Sequence, residues 1–134
     1  MVYHSSSQPG VLVADPKIAR TEQFQKIIAQ LEKKRKSRIF SIIHAGDGPH
    51  AQICHHTLAN VYERRLEMSH VPTLELLLHS PGGDADAAYT LMRYFRRRCK
   101  RLNVIVPLYA KSAATLMALG ADAIYMGISQ TLVP

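Results

Sequence analysis

The sequence predicts an α/β fold, a parallel sheet with helical crossovers, and three observations predict it. Four short runs rich in branched apolar residues read as buried strands: 38–45 (RIFSIIHA), 73–79 (TLELLLH), 103–109 (NVIVPLY) and 123–126 (AIYM). Segments with an apolar stripe at helical spacing separate them. Strands and helices that alternate in this way pair in parallel, because each crossover carries the chain back to its starting edge. Third, turn-forming residues close the strands, as in Gly46-Asp47-Gly48-Pro49 and Ser80-Pro81-Gly82-Gly83.

Each element has its own justification. Residues 1–20 carry Ser, Pro and Gly with little periodicity, so a poorly ordered lead-in is expected before a domain over 21–134. From Thr21 the residues Phe24, Ile27, Ile28 and Leu31 form one helix face that should end near Lys36. A second helix is expected over 51–68, with Ile53, Thr57, Val61 and Tyr62 on or near one face. Asp84 opens a third, whose inward face would be Ala87, Ala88, Leu91, Met92 and Phe95. Lys111-Ser112-Ala113-Ala114 starts a fourth that runs through Leu119, with Gly120 suited to its C-cap.

Composition narrows the function classes. With 134 residues, 47% hydrophobic and 20% charged, the chain can build one domain with a core and is not a disordered segment. Two cysteines are too few for a disulfide-stapled miniprotein, so Cys54 and Cys99 are expected as free thiols. No run of about 18 uncharged apolar residues is present to span a membrane. The opening MVYHSSSQPG does not read as a secretory leader, and the expected compartment is the cytoplasm.

The net charge of +7 is concentrated in two basic runs. One holds Lys33, Lys34, Arg35, Lys36 and Arg38; the other holds Arg93, Arg96, Arg97, Arg98, Lys100 and Arg101. Both fall at expected helix ends, where cations complement the helix dipole. No recognition motif accompanies them, so nucleic acid is not the expected partner. His50, Cys54, His55 and His56 share helical spacing but have no second ligand pair, so a solvated helix start accounts for them and no metal is expected.

The two strand-to-helix junctions at Gly82-Gly83 and Ser112 fall at carboxyl ends of parallel strands, where such sheets place their ligands. Paired glycines let backbone approach a substrate, and the following helix brings unpaired N–H groups to the same place. That is the specification of an oxyanion hole, although an ordinary turn with Asp84 as helix N-cap also satisfies it. Ser112 reads either as an N-cap or as a nucleophile, whose oxyanion the N–H groups of Gly83 and Ala113 would hold. Together the two junctions describe one site.

HSPGGDADAAY, the strand VIVPLYA and then KSAATLMALGADAIYMG resemble the Clp-fold serine proteases of the Clp/crotonase superfamily, most closely the serine dehydrogenase proteinase group related to signal-peptide-peptidase-like enzymes. The resemblance is most specific over 76–127. It implies that Ser112 is the nucleophile, that Gly83 and Ala113 are oxyanion donors, and that Pro81, Gly82, Leu108 and Tyr109 shape a substrate groove. It also implies peptide or protein substrates, no cofactor, and a homo-oligomer assembled through helices.

A serine nucleophile needs a base. In the superfamily a His or Lys downstream supplies it, but here only Asp122 follows Ser112 among acids and bases. His79 and Lys111 are the remaining candidates, while Asp84 and Asp86 suit the start of a helix. The expectation is therefore a domain incomplete at its C-terminus, the front portion of a larger hydrolase fold. A truncated or pseudoenzyme interaction subunit is the alternative function, and a crotonase-like acyl-CoA enzyme a third.

Overall fold

The computed structural model describes residues 2–3, 10–13, 22–68, 71–127 and 131–133. The chain is α/β, as the sequence predicts. Its main sheet has six strands in the order β1-β2-β3-β4-β5-β7. These are β1 Val2–Tyr3, β2 Gly10–Val13, β3 Arg38–Ile43, β4 Val71–His79, β5 Cys99–Val106 and β7 Ala123–Met126. Only β1 is antiparallel to its neighbour; the other pairings are parallel. A separate parallel pair joins β6 Tyr109–Lys111 to β8 Thr131–Val133.

Helices cover both faces, and residue parity decides which side chain meets which helix. On β4, Leu74, Leu76 and Leu78 face α2 (His55–Glu63), α3 (Ala85–Arg96) and α4 (Ala113–Leu119) in one core cluster. The odd-numbered Leu77 instead joins Ile39 and Ile43 of β3 beneath Ile28 of α1 (Glu22–Arg35). Phe24 and Leu31 pack against this second cluster with Ile28, whereas Ile27, expected on the same face, is exposed. Lys36 closes α1 with φ 52. The expected inward face of α3 is buried residue for residue.

Three expectations shift for identifiable reasons. The stretch 1–20 contains β1, paired with β2, and β2, paired with β3, and this pairing supplies what local sequence lacks; its other residues lie outside the described ones. The expected helix over 51–68 is shorter, α2 followed by a single 3-10 turn at Arg65–Met68. Ile53 is drawn out of it into a parallel bridge with Gly83, leaving Cys54 to start the helix with its N–H on Thr57 Oγ1 at 3.2 Å. The expected strand over 103–109 starts earlier, at Cys99, and ends at Val106. Pro107 has no N–H to give the ladder, and the chain resumes pairing as β6 beside a different partner.

Candidate active site

Register brings the two junctions together. Ser80 forms a parallel bridge with Ala110: its N–H donates to Tyr109 O at 3.2 Å, and Lys111 N–H donates to Ser80 O at 3.1 Å. Two residues further along each strand, Gly82 therefore lies against Ser112. A Cβ on Gly82 would sit 2.6 Å from Ser112 Cβ and 2.7 Å from Lys111 O, and φ is +113 besides. A Cβ on Gly83, at φ +133, would sit 2.2 Å from Ile53 O. Both glycines are demanded by neighbouring backbone, not only by room for a ligand.

Ser112 starts α4 with φ 51 and ψ −125, a conformation that L-residues rarely adopt. Its side chain makes no capping hydrogen bond and is exposed, so the simple N-cap role does not describe it. Its backbone is held on two sides. Ser112 N–H donates to Val133 O at 2.7 Å, and Ser112 O accepts from Thr115 N–H at 2.9 Å. Thr115 Oγ1 lies 2.9 Å from Ala110 O and 2.7 Å from Val133 O, so either carbonyl can take its proton.

Two N–H groups are left over around this turn. Ala113 is the first helical residue, so its N–H precedes the first intrahelical bond. Gly82 O accepts from Ile53 N–H at 2.7 Å, while Asp84 N–H donates to Ile53 O at 2.8 Å. Both bonds of this parallel bridge go to the groups flanking Gly83, so Gly83 N–H is directed away from Ile53. Among the described residues neither Gly83 N–H nor Ala113 N–H has a hydrogen-bond acceptor. Asp84 is indeed a cap: its Oδ1 accepts from Ala87 N–H at 2.7 Å.

The two candidate bases gather elsewhere. His79 lies on the α1 side of the sheet by parity, its ring 4.3 Å from that of Tyr109. Lys111 Nζ lies 4.7 Å from the centroid of the same Tyr109 ring. Among the described residues neither hydrogen-bonds to Ser112. Burial holds the His79 imidazole below its ordinary pKa. Pro81 and Leu108 are exposed at this edge, Tyr109 is half-buried, and Gly82 is buried.

His44 is the residue that sequence reasoning passed over. It follows β3, its N–H donating to His79 O at 2.9 Å, and its Nδ1 lies 2.8 Å from Ser80 Oγ. That is the spacing of a nucleophile and its base, but Ser80 is 0% exposed and its Oγ also takes the Gly82 N–H at 3.2 Å. Ser80 therefore has no access to substrate. Burial, and then the proximity of His79, pull the His44 pKa down to about 4. The available signal was parity: His44 shares the even-numbered face of Phe40 and Ile42, the face on which α4 packs.

Other motifs have structural employment. His50 and His56 stack at 4.4 Å, and no group of three metal-ligating side chains occurs among the described residues. Arg35 pairs with Glu75 at 2.6 Å, Arg96 with Asp122, and Arg98 lies 3.4 Å above the Tyr94 ring. Among the described residues no helix is long and apolar enough to cross a membrane.

Comparison with known proteins agrees with this architecture. Two uncharacterized proteins of Methanocaldococcus jannaschii are similar to the chain. MJ0137 is 30% identical over 118 residues, covering 81% of this chain and 41% of its own length. MJ1495 is 26% identical over 117 residues, covering 81% and 40%. The chain thus spans about two fifths of the length of these relatives. The family model for ClpP-like SDH-type serine proteinases matches residues 11–134. That match takes in the sheet from β2 onward, the double-glycine turn and the strained serine, and it makes the chain a member of the ClpP-like SDH-type serine proteinase family.

Proposed function

We propose that the chain is a serine peptidase-type hydrolase in which Ser112 attacks a peptide carbonyl and the Gly83 and Ala113 N–H groups receive the oxyanion. The observation that carries this reading is Ser112, an exposed serine held at φ 51 on a strand-to-helix turn without a capping bond. Such strain costs on the order of 1–3 kcal/mol and persists where function uses it. A sharp strand-to-helix turn also lifts the nucleophile clear of the sheet in other hydrolases. Ser112 Oγ would bond to the carbonyl carbon as its proton passes to a base. The amine then leaves, and water cleaves the acyl-enzyme. Pro81, Gly82, Leu108 and Tyr109 would border the substrate. The substrate is a peptide or protein, and the chain works as a homo-oligomer without a cofactor. Two free cysteines suit a reducing, cytoplasmic compartment.

A fluorophosphonate probe tests the reading, with labelling of the wild-type chain and none of Ser112→Ala as the expected result. A second reading has its own support: His79 and Lys111 meet on Tyr109 rather than beside Ser112. In that case the chain is an interaction subunit that keeps the groove without its own base. A folded wild-type chain that leaves the probe untouched favours this alternative.

A further inference from the structure

We propose that His44 is a positioning residue of the oxyanion segment, fixing the Gly82–Gly83 backbone through a hydrogen bond with Ser80. The inference rests on the acyl-transfer reading of the site. Two successive glycines are the most conformationally free pair a chain can contain, and here both hold positive φ. Something must remove that freedom if Gly83 N–H is to present a fixed donor. Ile53 does so along one edge, through its bonds with Gly82 O and Asp84 N–H.

Ser80 and His44 hold the other edge. Gly82 N–H donates to Ser80 Oγ at 3.2 Å, which fills one lone pair of that oxygen. The single hydroxyl proton then has two acceptors in reach, Gly82 O at 3.4 Å and His44 Nδ1 at 2.8 Å, and the shorter contact is with the histidine. We assign the proton to that shorter contact, which leaves His44 a neutral imidazole with its own proton on Nε2 and Nδ1 accepting. The imidazole is itself anchored, because His44 N–H is bonded to His79 O in register with β4. Since His44, Ser80 and Gly82 are all buried, no water replaces a lost link in the string.

His44→Leu, His44→Asn and Ser80→Ala test the proposal. Asn places a carbonyl oxygen at the δ1 position and so keeps an acceptor for Ser80, whereas Leu has none. In His44→Leu and Ser80→Ala, hydrogen exchange at the Gly82 amide is expected to rise roughly tenfold and fluorophosphonate labelling of Ser112 to fall by a similar factor. His44→Asn is expected to recover most of both. Nitrogen NMR of the wild type at pH 7 should show His44 Nδ1 unprotonated. A protonated Nδ1 overturns the proposal, as does unchanged Gly82 exchange in both Ser80→Ala and a folded His44→Leu. Should His44→Leu not fold, Ser80→Ala, which removes one oxygen, carries the comparison alone. If the wild-type chain takes no probe, the peptidase reading fails by itself and Gly82 exchange still decides the role of His44.

Discussion

The candidate site is a place where single atoms decide the backbone. Gly82 has no room for a methyl group, with Ser112 Cβ and Lys111 O both inside 3 Å of where one would stand. Gly82→Ala is therefore expected to cost about 3 kcal/mol or more, read as a lower denaturant midpoint. Ser112 shows the opposite balance. Ser112→Gly relieves a positive φ at the expense of unfolded-state entropy, and a net gain of about 1 kcal/mol should raise Tm while removing the proposed nucleophile. His44 adds a pH dependence. Its pKa lies near 4 when folded, against about 6.5 when unfolded. As pH falls below about 6.5 the unfolded chain takes up the proton first, so stability declines until about pH 4. The loss approaches about 3 kcal/mol. Chemical denaturation from pH 7 to 4 should show this decline in wild type and a flatter profile in His44→Asn.

At the scale of elements, one buried carboxylate ties β4 to its neighbours. Glu75 receives Arg35 of α1 at 2.6 and 2.8 Å, Ser37 at 2.9 Å and Asn103 of β5 at 3.1 Å. Burial alone would raise its pKa, but these hydrogen bonds outweigh it and hold the carboxyl below its ordinary value. The stability they contribute is present above the unfolded pKa of about 4.3 and is lost as pH falls through the lower, folded value. Glu75→Gln should cost about 2–3 kcal/mol at neutral pH, and the gap from wild type should close below about pH 4. Several elements were legible because their signals are local: Phe24, Ile28 and Leu31 of α1, the Leu run of β4, the inward face of α3. Ile53 was not. Its apolar character fits a helix face equally well, and only the proximity of Gly83 turns it into a bridge. β8 was missed for the same kind of reason, since Thr131–Val133 is a strand only because β6 offers it a ladder.

Across the whole molecule, the helices on the Ser112 side of the sheet leave an apolar groove of about 520 Å³ between α3 and α4. Ala85, Ala88, Met92 and Leu116 line it, and Tyr89 and Leu116 are 65% and 57% exposed. If the chain assembles through these helices, as proposed, Leu116→Glu should shift sedimentation toward a smaller species. Tm of the subunit should change little, because an exposed side chain loses little burial.

Sequence by itself determined the α/β class, the parallel order implied by alternation, and the two junctions at Gly82-Gly83 and Ser112. Those are properties of periodicity and turn chemistry, which act over a few residues. Tertiary structure alone decided what those junctions face. Pairing of Ser80 with Ala110 sets Gly82 on Ser112, pairing of Ile43 with His79 sets His44 on Ser80, and the pleat sends His79 to the opposite side. Register and parity are relations between distant strands, and a shift of one residue would exchange the roles of the two histidines.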